Sequence, residues 1–230
     1  MVETTGNSSM DTASPERDAL YYLMPITIQV EDCLFKVPRN SFMQNSPIFR
    51  DMVSIPQGSI SYVEGSSDSH PLKLDVNKED FRQLLKVLFP LDIPPGKTMS
   101  KDGWIAVLRL SSMWEMDKVR ELAITNLTSS GMGSVEKIVL AKEFHVPQWL
   151  RSGYQELVNR QEMLSMEESE RISYKSATGV FQVRESTRNR NQGYYGGMAK
   201  VLTIEGVFEV ELAMEKAYYE TYATGSSIQV

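Results

Sequence analysis

Apolar and polar side chains alternate through Ile26-Thr27-Ile28-Gln29-Val30, a β-branched run that predicts a half-buried strand. Glu31-Asp32 interrupts the run, and Cys33-Leu34-Phe35-Lys36-Val37 resumes it. The two segments read as a hairpin, although Asn-Gly is a more favoured turn pair than Glu-Asp. Pro38 follows, and the first turn of a helix tolerates proline because that amide has no partner. A short helix carrying Phe42 and Met43 is expected to run to about Asn45. Asn45 or Ser46 then caps a second helix, with Pro47 at its first position and Ile48, Phe49 and Met52 along it. Residues 54–69 turn to Gly, Ser and Pro and predict a loop, after which Pro71-Leu72-Lys73-Leu74-Asp75 predicts one more short strand.

From there the period changes to that of helices. Asn77 can cap a helix with Asp80 near its positive end, and Phe81, Leu84, Leu85 and Leu88 make one apolar stripe. Pro90 ends it, and Pro94-Pro95-Gly96 marks a turn. Trp104, Val107 and Leu108, then Val119, Leu122 and Ala123, continue with helical spacing. Ser129-Ser130-Gly131-Met132-Gly133 breaks the pattern and is the best boundary inside the ordered region. Beyond it come Val135, Ile138 and Val139, and then Leu150, Tyr154, Leu157 and Val158. Ser165-Met166-Glu167-Glu168 matches a capping box. Between Arg184 and Gly197 the composition shifts to Arg, Asn, Gln, Gly and Tyr, which reads as a mobile linker. A last helix carries Ile204, Val207, Phe208 and Leu212.

Strands early and helices afterwards predict an α+β domain with an all-helical continuation. The expected divisions are a disordered lead over 1–19, an α+β domain over 20–128, a helical extension over 129–186, a linker over 187–199 and a terminal helix over 200–223.

Composition narrows the function. The 230 residues are 41% hydrophobic and 23% charged, an ordinary globular balance. The formal net charge of -6 argues against a general nucleic-acid binder, because that affinity rests on lysine and arginine neutralising phosphates. One cysteine, Cys33, permits no internal disulfide and fits a reducing compartment. Residues 1–17 lack the apolar centre of a signal peptide, and no apolar run reaches the ~20 residues that span a bilayer. An intracellular protein, cytoplasmic or nuclear, is the expectation.

Catalytic groups are sparse. The two histidines, His70 and His145, are far apart; His145, at a predicted helix carboxyl end, reads as a favourable dipole partner. Cys33, on a predicted strand, reads as a small buried hydrophobe. Neither zinc-ligand spacing nor a phosphate-cradling Gly-x-x-x-x-Gly-Lys run nor a nucleophile elbow is present. No catalytic, cofactor-binding or metal-ligating set is therefore expected. Two alternatives stay open: a small enzyme built from carboxylates and tyrosines, and a regulatory factor contacting nucleic acid through Arg184, Arg188 and Arg190 with Tyr194 and Tyr195.

The blocks Leu34-Phe35-Lys36-Val37-Pro38-Arg39 and Ser46-Pro47-Ile48-Phe49-Arg50-Asp51-Met52 resemble the opening of BTB/POZ domains, in which a hairpin runs into two short helices. Pro71 to Asp75 and the helix with Phe81 and Leu85 look like that family's next strand and helix. The blocks 104–110, 114–124 and 137–149 are similar to the chain following the domain in many fungal members. The family commonly has an aspartate entering the first strand and a histidine opening the first helix. Pro25 and Pro38 hold those places here, so the familiar pocket and dimer do not carry over through those residues. The resemblance implies a protein-binding adaptor or scaffold that forms a homodimer, with a cullin ubiquitin-ligase scaffold as one client. Tyr62-Val63-Glu64 is the nearest contact motif for that client. The count of thirteen methionines suits adaptable contact surfaces. Phe42, Met43, Ile48 and Met52 are the candidate dimer or partner interface, with Phe42 and Met43 foremost.

Overall fold

The computed structural model describes residues 16–18, 21–54, 64–91, 99–191 and 202–224. Strands β1 (Pro25–Val30) and β2 (Cys33–Pro38) form the expected antiparallel hairpin, with Val30 opposite Cys33. Its turn tolerates Glu31 at φ 52° because side chains anchor it elsewhere. The Glu31 carboxylate accepts from the Lys78 amide at 3.3 Å, and Asp32 takes the Lys78 ammonium at 2.6 Å. That ammonium holds the Asp32 carboxyl below its usual range.

Strand β3 (Leu72–Leu74) lies parallel to β1, giving the sheet order β2-β1-β3. The central strand is more buried than alternation alone predicts: Thr27 is enclosed along with Ile26 and Ile28. The segment at Gly65 covers that side, its carbonyl accepting from the Thr27 amide at 2.8 Å. Gly65 has φ +79°, and a Cβ there would meet Ile26 at 2.6 Å, so only glycine serves.

Helices α1 (Arg39–Asn45) and α2 (Pro47–Ser54) follow. Pro38 closes β2 and precedes α1 rather than opening it. Ser46 caps α2 through a bond from the Phe49 amide at 3.1 Å, with Pro47 first in the helix as expected. The Ser46 hydroxyl also donates to the Trp114 carbonyl at 2.6 Å. Helix α3 (Lys78–Leu88) is capped by Asn77, whose side chain accepts from the Glu79 and Asp80 amides. Around these helices the rings of Phe42, Phe49, Phe81 and Trp114 pack at centroid separations of 4.9 to 6.2 Å.

Helices α4 (Lys101–Met113), α5 (Asp117–Ser129), α6 (Ser134–Phe144) and α7 (Pro147–Asn159) continue the chain. The break at 129–133 is a turn, in which Gly131 takes φ +75°. It does not divide the interior: Ile28, Leu127, Ile138 and Leu157 belong to one contiguous buried cluster. In α5, Val119 and Ala123 are buried, but Leu122 faces outward.

Helix α8 (Met166–Ile172) opens with the capping box read from Ser165 and Glu168. Arg160 grips the same carboxylate with both terminal nitrogens, at 2.8 and 2.7 Å, and holds its pKa down to about 2. Helix α9 (Tyr174–Asn191) runs beyond the point where a linker is expected. Val180 and Val183 are buried on it, and Arg184 reaches back to the carbonyls of Glu162 and Gln161. The helical period therefore persists through an arginine-rich composition; the rest of the expected linker, 192–199, lies outside the described residues. The terminal helix is two pieces, α10 (Ile204–Val207) and α11 (Glu209–Thr224), separated at Phe208. Thr203 caps the first. The architecture is α+β, with a small mixed sheet and mostly helix. Among the described residues, no helix is long and apolar enough to cross a membrane.

Two stability predictions follow from these joins. Ser46→Ala leaves the buried Trp114 carbonyl without its donor and the Phe49 amide uncapped, so unfolding should cost about 1–3 kcal/mol less. A urea midpoint that falls with an unchanged slope is the expected reading. The Glu168 carboxyl is depressed from the ordinary 4.5 to about 2. Its contribution is complete above the unfolded value and is lost as pH falls through the folded one. The stability gap between the native chain and Arg160→Gln should thus narrow between pH 4.5 and about 2 in acid titrations; a gap constant through that window would contradict the assignment.

Candidate functional site

The interface residues expected from sequence are split by the fold. Phe42 is 1% exposed, enclosed by Phe49, Phe81 and Phe89, and has no surface to give a partner. Its helix turns that ring inward because the neighbouring helices carry aromatic rings at matching depth. Met52 is half-buried and packs on the same core. Met43 and Ile48 are half-buried and keep part of their surface outward. Chain periodicity places Phe42 and Met43 together, but on a helix adjacent residues point about 100° apart, so one can be core while the other is not.

Beside Met43 lies an apolar run that the periodicity of the strands and helices does not reveal. Tyr21, Tyr22, Leu23 and Met24 are 81%, 49%, 50% and 53% exposed. The Met24 carbonyl accepts from the Arg39 amide at 2.8 Å, fixing the run against the start of α1. The Arg39 side chain then reaches along the helix, its Nε 3.2 Å from the Met43 sulfur. Arg50 donates to the Met43 carbonyl at 3.2 Å. Exposed apolar side chains thus run up to the start of α1, where Arg39 and Arg50 bond to Met43, and clustered exposed apolar surface is a mark of interaction sites.

Other singled-out residues have local duties. His70 closes a tight turn, its Nδ1 3.3 and 3.1 Å from the hydroxyls of Ser67 and Ser69. Cys33 is half-buried rather than enclosed, and Arg82 places Nη2 3.9 Å from its sulfur. Of the arginines considered for nucleic acid, Arg184 is bound to two carbonyls; Tyr194 and Tyr195 lie outside the described residues.

A second constellation assembles far-apart residues under α11. Lys142 on α6 donates to the Ser176 hydroxyl at 2.7 Å and the Ile172 carbonyl at 2.9 Å, and pairs with Glu211 at 2.8 Å. The Tyr154 hydroxyl on α7 meets Ser176 at 3.0 Å and Glu211 at 2.8 Å. Burial pushes the Tyr154 phenol well above its usual range, with the Glu211 charge adding to it, so it acts as a donor. His145, at φ 53° in the left-handed cap of α6, lies 2.9 Å from Glu215 and stacks on Tyr218 at 4.4 Å.

This cluster brings carboxylates, a tyrosine, a lysine and a serine together. Ser176 is only 3% exposed. The cluster's hydrogen-bonded side-chain pairs join residues 22 to 70 positions apart, so no local motif announces them. Among the described residues, no three of His, Cys, Asp and Glu gather as a metal ion would require.

No protein-family model matches the chain, and no curated protein matches it.

Replacing Tyr154 by Phe removes the hydroxyl that Ser176 and Glu211 share while keeping the ring. Stability should fall by about 1–2 kcal/mol in chemical unfolding. No measurable loss would mean that the hydroxyl contributes nothing in solution.

Proposed function

We propose that this chain is a BTB/POZ-like protein-interaction module, a self-associating adaptor or scaffold that meets a second copy through the face of 21–24 and α1. The observation that carries this reading is the exposed run Tyr21 to Met24, pinned through Arg39 to Met43. Backbone hydrogen bonds at Tyr21, Tyr22 and Met24 hold the run while its side chains stay exposed, so burying them on association supplies affinity at a reduced cost in backbone ordering. A face in which the same patch meets itself also needs no second partner to close.

The order of elements supports the BTB/POZ part of the reading. The hairpin β1-β2 feeds two short helices, and a further strand and helix follow in β3 and α3. Ser46 sits before the Ile48-Phe49-Arg50 segment as the resemblance requires, and here it caps α2. The single cysteine is in keeping with an intracellular setting. The cullin client rests on the resemblance alone, since Tyr62 and Val63 lie outside the described residues.

Light scattering across a wide concentration range tests the proposal. The native chain should reach twice its 26.1 kDa mass as concentration rises. Leu23→Asp with Met24→Asp, and separately Met43→Asp, should keep it monomeric and folded. Phe42→Asp is unsuitable, because a charge placed in the core unfolds the chain instead. A native monomer at every concentration would overturn the reading. So would a dimer that ignores the Asp substitutions.

A further inference from the structure

The α10–α11 unit is held to the remaining helices unequally along its length. Ile204 and Phe208, at its start, are buried. No residue of α11 from Glu209 to Glu220 is fully buried. Phe208 lies on the Tyr154 ring with centroids 3.9 Å apart, and its ring occupies the hollow above Gly179. A Cβ on Gly179 would meet that ring at 2.7 Å.

The remaining anchors are mostly charged. Arg151 pairs with Glu205 at 2.5 Å, Lys142 with Glu211 at 2.8 Å and His145 with Glu215 at 2.9 Å. The Arg120 guanidinium lies 5.4 Å from the centre of the Tyr219 ring. Charge thus divides by side: Arg120, Lys142 and Arg151 on the receiving helices, and three glutamates on the unit that covers them. The covering is also incomplete. A cavity of about 600 Å³ lies between α9 and α11, with Gly179, Phe208, Met214 and Glu215 in its wall.

We propose that this surface of α5, α6, α7 and α9 is a binding site for an acidic amphipathic helix supplied in trans, and that α10–α11 occupies it in cis. The cis occupant spells out the chemistry that the site recognises. Two large apolar side chains stand four residues apart, as Ile204 and Phe208 do. Carboxylates follow three and seven residues after the second of these, as at Glu211 and Glu215. A helix of this kind enters a preformed groove by its apolar anchors, and the basic rim fixes its register. A partner with bulkier side chains towards α9 fills the cavity that the cis unit leaves, which gives it an advantage over that unit.

Local opening frees α11 first, since none of its residues from Glu209 to Glu220 is fully buried, and full release of the unit also exposes Ile204 and Phe208. The site is separate from the self-association face, so either proposal can fail without the other.

The test uses the full chain and a labelled peptide of residues 202–224, followed by fluorescence anisotropy. The native chain should bind the peptide weakly, because its own unit competes at high effective concentration. Phe208→Ala in the chain weakens the cis occupant and should tighten peptide binding at least about tenfold, since affinity scales with the open fraction. Glu211→Gln with Glu215→Gln keeps both apolar anchors and should shift binding in the same direction, even if Phe208→Ala does not fold. Adding Arg151→Glu or Lys142→Glu to a loosened chain should reverse the gain. The proposal is overturned if loosened chains, folded by circular dichroism, bind no better than the native chain. Binding indifferent to the charge reversals, or equally strong with a scrambled peptide, overturns it as well.

Discussion

The Ser46 hydroxyl stands 2.6 Å from the carbonyl of Trp114, a residue 68 positions further along the chain, and both are enclosed by aromatic rings. That one contact joins the hairpin and its two short helices to the end of α4. Phe49 and Phe81 pack edge-on against Trp114, and Phe42 lies between them. The arrangement explains why α1 turns Phe42 inward and leaves Met43 at the surface. It also explains how helices as short as α1 and α2 persist, since isolated helices of that length are not stable in water. Their order comes from the rings they share.

Stability is graded outward from that centre. The interior is apolar and contiguous from Ile26 through Leu157, whereas α11 adds to the partly buried Leu212 and Tyr219 the Lys142–Glu211 ion pair, the His145–Glu215 hydrogen bond, a cation over a ring and a shared phenol hydroxyl. Solvent still reaches part of the Lys142–Glu211 pair, so its contribution is modest and weakens with salt. The two faces proposed for binding therefore differ in kind. The run beside α1 is an exposed apolar segment bonded to the start of that helix, and the site under α10–α11 has charged groups around the buried Ile204 and Phe208.

Local chemistry was legible in the sequence and long-range chemistry was not. Asn77, Ser46 with Pro47, and Ser165 with Glu168 could be read as caps because each acts within three residues. The hairpin was legible from its β-branched runs, although the carboxylates that anchor its turn find partners more than 40 residues away. Periodicity says that a face is apolar without saying what covers it, so it does not separate the buried Phe42 from the half-buried Met43. Residues 184–191 read as linker by composition, yet buried Val180 and Val183 and the reach of Arg184 keep α9 helical. The cluster of Lys142, Tyr154, Ser176 and Glu211 had no signal in the sequence, because its members converge only when the helices pack.

Amide hydrogen exchange read by mass spectrometry, at dilute and at high protein concentration, tests most directly whether the face beside α1 is where copies meet. The account predicts that exchange in peptides covering 21–25 and 39–45 slows as concentration rises, while the buried strand β1 and helix α4 are unchanged. Exchange at those segments that is independent of concentration, or protection gained only elsewhere, would contradict it.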